Sequence, residues 1–472
     1  MRACVARLRG SGRGPLTRSA GRSTAERCAE PGSHPRSPRR ELYPHPVPHY
    51  DVAPMPNSQS RSLWRHGDFV RMWAGQTISL VGSQVTLLAL PLTAILVFNA
   101  SAFQVGALST VEFLPFVLLG LPVGVWVDRL RRRPILVVAD VLRLIVIGSV
   151  PLAYALGVLR LVQLYVVGFL SGVGTVFFDV AYGAYLPSLV DRDRLVEGNA
   201  KLEGSRSGAQ IVGPGVGGLL VQALSAPGAI LADALSYLAS VLSLLAIRSR
   251  EAPVAVPEGG RPPMRRQVAE GIRFIAGQPL LRPILACTGM LNLFSMMGQA
   301  VILLFAVQKL GLSAGAIGVI LSVGSAGFLL GALVARRVGR RLGVGPTLIT
   351  CAFLVGLGTV FIPLASRGRA APMLILWGLI SSFGGVIYNV NGRSLMQSLT
   401  PDRMLGRAIA TNRFVVWGVI PIGTFVGGVL GSRIGLRPTL WIAAAGQLLA
   451  FLPPLLSPVR RLRSLPDAVP TS

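Results

Sequence analysis

Apolar residues run through this chain in blocks of about 20, and polar residues are mostly confined to the short stretches between them. From Phe69 onward the blocks fall at roughly 69–98, 103–127, 133–156, 160–182, 202–226, 228–248, 282–308, 313–335, 346–366, 371–392, 408–432 and 438–458. Each is long enough for an α-helix to cross the roughly 30 Å hydrocarbon core of a bilayer. None shows the ten-residue alternation of a transmembrane strand. The pattern predicts an all-α membrane protein of twelve spans.

The stretch 249–281 has no long apolar run and divides the spans six and six. A short amphipathic helix is expected around Val268–Phe274, lying along the membrane surface. The expected organisation is a basic tail (1–63), a first six-helix half (64–248), a central loop (249–281), a second half (282–458) and a closing tail (459–472). The first tail is rich in Arg, Pro, Ser and Gly, a composition that cannot offset chain entropy, so disorder is expected there. It contains no apolar core of a secretory signal. Met55 is an alternative start that would leave a compact N-terminus.

Composition agrees with the pattern: 51% of residues are hydrophobic, only 14% are charged, and mean hydropathy is +0.60. A net charge of +27 would suit a nucleic-acid binder if it were gathered on one soluble face. It is instead sorted by side. Taking the loops alternately, 26 basic residues fall on one side of the spans and 6 on the other. Cytoplasmic loops carry the excess of Lys and Arg. The basic side is therefore expected to be cytoplasmic, both termini with it, in a multi-pass plasma-membrane protein. Cys4 and Cys28 lie in the tail, Cys287 and Cys351 in apolar runs, and all four histidines precede the first span. No spacing fits a metal site, a disulfide framework, a nucleophile with its base, or a phosphate loop. No enzyme activity, cofactor or metal is expected.

The second half echoes the first. Leu186-Pro-Ser188-Leu189 recurs as Met396-Gln-Ser398-Leu399, and Gly213-Pro214-x-x-Gly217-Gly218 as Pro421-x-Gly423 with Gly427 and Gly428. The loop after the second span, with Gly124, Asp128, Arg129, Arg131, Arg132 and Arg133, returns as Gly331 with Arg336, Arg337, Arg340 and Arg341, and Ala335 stands in place of the acid. Duplication of a six-helix unit is the reading.

The Gly124-to-Arg133 cluster resembles the signature loop of the major facilitator superfamily, with Trp126 where Leu is usual and Arg131 where Gly is usual. Gly213-Pro214-x-x-Gly217-Gly218 resembles the fifth-span motif of that superfamily's exporters, with Ala209 in place of an opening glycine. Further blocks follow in the same order: Asp68-Phe69, Gly75-Gln76, Gly82, Gln84, Glu112 to Pro115, Asp140 to Arg143, Phe178-Asp179, Asp233 to Ser236, and Glu270 to Arg282. Together they are similar to the drug/proton antiporter branch that includes macrolide-efflux and enterobactin-exporter-like proteins. The resemblance spans residues 64–458. It implies two pseudo-symmetric halves around a central cavity, and export of a small amphipathic molecule by proton antiport with alternating access. It also implies that Gly124 and Asp128, with Arg129, Arg132 and Arg133, lock the cytoplasmic gate of the outward-open state. The implied partners are a small-molecule substrate, protons and the lipid bilayer; a monomer is the default. Siderophore export and a non-transporting membrane sensor are the alternatives.

One departure bears on coupling. Many drug exporters of the superfamily carry an Arg in the fourth span, linked to proton transfer; here the matching position is Gly168. Attention passes to the intramembrane acids. Asp140 and Arg143, three apart on one helix face, can neutralise each other. Asp179 and Asp233 fall near the ends of the expected spans, where a solvated or capping role is the default. Glu112 lies well inside the second span with no cation near it in sequence. A carboxyl withdrawn from water favours its neutral form, so Glu112 is the first candidate for proton coupling, with Asp179 and Asp233 behind it.

Overall fold

The computed structural model describes residues 62–127, 129–249, 251 and 264–464. Expectations placed on the N-terminal tail, on Asp128 and on the middle of the central loop lie outside the described residues. The first half consists of α1 (Gly67–Phe98), α2 (Ala102–Val127), α3 (Arg132–Ala155), α4 (Leu161–Leu189), α5 (Leu195–Leu224) and α6 (Ala226–Leu245). The central loop contributes α7 (Met264–Gly277). The second half follows with α8 (Leu281–Leu304), α9 (Ala314–Leu342), α10 (Val344–Thr359), α11 (Phe361–Leu364), α12 (Ala370–Leu399), α13 (Asp402–Arg433), α14 (Leu436–Leu449) and α15 (Leu452–Leu455). The pairs α10–α11 and α14–α15 each make one span, interrupted near Pro363 and Pro453, where the ring removes a backbone donor.

Eleven of these spans are long and apolar enough to cross a membrane. The twelfth expected span falls on α5, a 30-residue helix whose first half carries Glu197, Lys201, Glu203 and Arg206. Its length suffices; those charges keep it from reading as uniformly apolar. Several helices also outrun their apolar blocks at the arginine-rich end. Helix α4 continues to Leu189, α9 to Leu342 and α12 to Leu399. Hydropathy marks only the part of a helix that faces lipid, and the polar last turns escape it.

The packing repeats in the two halves. Helix α1 lies against α5 and α6, α3 against α4 and α6, and correspondingly α8 against α13 and α14, and α10 against α12 and α14. Between halves the main contacts are α2 with α13 and α5 with α9. The apolar core is distributed unequally along the spans. At the arginine-poor end one continuous cluster joins both halves, including Ile95, Leu108, Leu164 and Ile230 with Val301, Phe305, Ile317 and Leu374. At the arginine-rich end the clusters are separate, one built around Phe69, Leu136, Phe178 and Leu186, the other around Cys287, Leu348, Ile387 and Leu395. The halves are thus sealed together at one end and parted at the other. Helix α7 is tied to the second half, with Ile275 buried against Leu281 and Ala408.

Candidate functional site

Enclosed between the halves, beneath the seal, is a cavity of about 580 Å³. Much of its wall is apolar, with Leu87, Pro91, Phe113, Leu303, Phe328 and Trp377 among the residues that form it. Gln84, Gln210 and Gln299 add amides from three helices, and Ser325, Ser381 and Ser382 add hydroxyls. Glu112 is the one ionisable side chain in this wall among the described residues. Being the eleventh residue of α2, it points inward from the middle of the span. No described cation pairs with it. Helix α4 packs directly behind it: a Cβ built on Gly168 would lie 3.7 Å from that of Glu112, and one on Gly172 would lie 3.0 Å from Pro115 Cγ.

Toward the arginine-rich end lies a second cavity of about 700 Å³, walled mostly by the second half, with Arg206 reaching in from α5. Successive turns of α8 serve the two spaces, Asn292 and Ser295 the outer one, Met296 and Gln299 the inner. Phe116 of α2 and Trp417 of α13 meet across the halves with ring centroids 4.3 Å apart. Phe113, 6.1 Å from Phe116, continues this aromatic path to the inner wall. Arg413 stacks on Trp417 from below, 4.8 Å from its centroid.

The small residues of the fifth-span motif let helices meet closely. Gly213 and Gly217 face α1, where a Cβ would come 2.8 Å from Gln84 Cγ and 3.1 Å from Val85 Cα. Gly218 faces the other half, where a Cβ would stand 2.8 Å from Gly318 Cα. Pro214 lines the inner cavity. The repeat does the same: Gly427 faces Met297 of α8 at 3.0 Å, and Gly428 faces Gly106 of α2 at 3.0 Å.

The described residues of the loop after α2 and the start of α3 make no contact with the other half in this conformation. Nothing lies within 4 Å of a Cβ on Gly124, because its end of the molecule is parted, so no backbone approaches it here. Arg129 is exposed. Arg132 and Arg133 are engaged inside the first half. Glu251, at the start of the central loop, accepts the backbone N–H of Arg132 at 2.9 Å and of Arg133 at 3.2 Å, and pairs with the Arg132 guanidinium at 3.3 Å. Arg133 donates to the last carbonyls of α6, Leu244 at 3.0 Å and Leu245 at 2.9 Å. Glu251 thereby caps α3, whose own N-cap residue Arg131 provides no side-chain bond.

Asp140 and Arg143 form the expected ion pair, and both are buried. The guanidinium is held between the rings of Phe178 and Tyr237, 4.4 and 4.5 Å from their centroids. Asp233 corrects a sequence expectation: it is the eighth residue of the 20-residue α6 and fully buried, with Ser236 Oγ donating to Oδ1 at 3.0 Å. Its place against Gly82 of α1 is possible because that position lacks a side chain. Asp179 is corrected as well. Helix α4 runs ten residues beyond it, so Asp179 lies inside the helix, with Arg143, Arg206 and Arg413 as the cations around it.

Sequence reasoning left three cavity residues among the loop charges: Arg206, Arg393 and Arg413 lie inside helices and face the second cavity. For Arg206 and Arg413 a cation within an expected span was the available signal, since such residues default to a functional role; Arg393, one residue past its expected span, gave none. The three glutamines and the Glu251 cap carried no such signal.

Comparison with known proteins places this geometry. The family model for transmembrane secretion effectors matches residues 59–470. The multidrug efflux pump Tap of Mycolicibacterium fortuitum is 25% identical over 389 residues, covering 79% of this chain and 93% of that one. Macrolide efflux protein A of Streptococcus pyogenes is 24% identical over 407 residues, covering 84% and 97%. Among solved structures, a bacterial homologue of the iron transporter ferroportin in its inward-facing state overlays with a TM-score of 0.68 at 17% identity, covering 84% of this chain and 99% of that one. That overlay shows the fold.

Proposed function

This chain belongs to the transmembrane secretion effector family of the major facilitator superfamily, and on that footing we propose that it exports a small amphipathic molecule, a drug or natural product, in exchange for protons. The reading is carried by Glu112, a single carboxylate in the wall of a cavity whose halves are parted at one end only. With the arginine-rich end in the cytoplasm, both termini lie inside, the protein sits in the plasma membrane, and the conformation is the inward-facing one. The named efflux relatives support a drug-like cargo.

Substrate enters the parted end and settles against the apolar wall. The halves then rock against each other, parting the glycine contacts of α5 with α9 and α2 with α13 and opening the opposite end. Wetted from outside, Glu112 takes a proton as the substrate leaves. After return, the next substrate and the cytoplasm draw the proton off. Asp128 and Gly124, with Arg129, Arg132 and Arg133, hold the cytoplasmic end shut in the outward-facing state. Gly213, Pro214, Gly217 and Gly218 keep the external end tight in the inward-facing one. Asp179 and Asp233 are the reserve carboxylates for coupling.

Inverted membrane vesicles from an overproducing strain test this. A pH gradient, acid inside, should drive accumulation of substrates from a panel of apolar drugs, and a protonophore should collapse it. Accumulation indifferent to the protonophore would remove the antiport.

A further inference from the structure

Arg206 and Arg413 are equivalent residues of the two halves. Each is the twelfth residue of its helix, α5 and α13, and each precedes that helix's internal proline by eight positions. At 1.5 Å per residue they lie about 16 Å from the helix starts, within helices rather than in the loops whose charges orient the protein. Both line the second cavity, and Arg393 of α12 joins them there. No described acid forms an ion pair with any of the three. Among the described residues no acid lines this cavity; Asp179 of α4, which Arg143 also reaches, lies outside its wall, so the three arginines give the wall a positive surplus. Asn292, Asn389 and Asn412 complete a polar wall.

Closing this end brings the repeat-related arginines of opposite halves toward each other. Like charges drawn together and desolvated cost free energy unless an anion lies between them. We propose that the second cavity binds the anionic head of the exported molecule, a carboxylate, sulfonate or phosphate, on Arg206, Arg393 and Arg413. Its apolar body follows the aromatic path of Trp417, Phe116 and Phe113 into the inner cavity. The bound anion is then the counter-charge that lets the halves close behind it. This names the substrate class within the export reading and rests on it: an amphiphile with an acidic head.

Three probes with one apolar body separate the charges: pyrenebutyrate, pyrenebutanol and pyrenebutylamine. Their binding to the purified full chain in discs of zwitterionic lipid is read by quenching of tryptophan fluorescence. The acid should bind about tenfold tighter than the alcohol, the size of one charge-assisted bond, and tighter still than the amine. Arg206→Gln, Arg393→Gln and Arg413→Gln should each weaken the acid by about tenfold and leave the alcohol unchanged; Arg337→Gln, on an exposed turn of α9, should change neither. An amine that binds as well as the acid, or variants that weaken all three probes alike, would overturn the proposal. So would full displacement of the acid by phosphatidylglycerol in the disc, which would assign the arginines to a lipid headgroup. A preserved preference for the acid without transport of any probe would instead sink the export reading and leave the anion site standing.

Discussion

Glu112 on α2 packs against Gly168 on α4, with 3.7 Å between the Glu112 Cβ and the place where one at Gly168 would begin, and Leu108 Cδ1 beside it at 3.6 Å. Where the resemblance to exporters implies an arginine, this chain has Gly168, and the acid opposite has no described partner. An unpaired carboxylate in a largely apolar wall is held in its ionised form by little besides water. Glu112→Gln keeps the shape and removes the proton. Accumulation driven by a pH gradient should disappear, while exchange of labelled for unlabelled substrate at equal pH persists. Wild-type coupled transport by this variant from about pH 6 to 8 would move the role to Asp179 or Asp233.

The gate proposal rests on a charge outside the described residues. Asp128→Asn should leave protein abundance unchanged and reduce efflux by about tenfold, the value of one charge-assisted contact. Ala335 holds the corresponding place in the second half but is 1% exposed inside that half's core, so Ala335→Asp should lower expression and rescue nothing. Normal efflux by Asp128→Asn at wild-type abundance would reduce the loop to an anchor.

Overpacking the contact between Gly218 and Gly318 should separate the halves at the sealed end. Gly218→Leu and Gly428→Leu should each cost about 1–3 kcal/mol in thermal unfolding of the purified protein and abolish transport. Gly204→Ala, on the same α5 but with open space around it, should be silent. Equal tolerance at all three positions would show that the close approach is dispensable.

Removing a charge from the buried cluster should be costlier than removing one from the cavity. Arg143→Gln leaves Asp140 and Asp233 buried without their cation, a loss of about 3–5 kcal/mol by the usual scale for breaking a buried pair. The protein should then fail to accumulate in membranes, unlike Glu112→Gln. Wild-type abundance of Arg143→Gln would mean that the cluster is wetter than its packing implies.

Reporter fusions after Arg250 and after Ser472 should be active only as cytoplasmic reporters, and deletion of residues 1–54 should leave insertion and transport intact. An external signal at either junction would end the inward-facing reading of the parted end.

The fold was legible because lipid enforces a simple code: long apolar blocks, basic loops on alternate sides, and a helix with a proline followed by paired glycines in each half. Gly213 to Gly218 could be read as a packing surface before its partners were known. The site was legible only where chemistry is costly. Glu112 stood out because an isolated acid in a span needs a reason, whereas Gln84, Gln210 and Gln299 are ordinary residues until helices far apart in sequence bring them to one wall. Asp233 was misplaced because its burial depends on Gly82, about 150 residues earlier. Arg206, Arg393 and Arg413 were lost in a tally of loop charges, since the sidedness of arginine hides the few that face inward.

The one-sided seal also bears on which face of the empty carrier is open. In this conformation a continuous apolar cluster joins the halves at a single end, and parting it would expose buried surface. Cargo arriving at the parted end of this conformation meets open space, whereas a compound approaching from the sealed side would have to wait for another state. Occupancy of the two states sets how readily each side is served; the direction of net travel is left to the gradients.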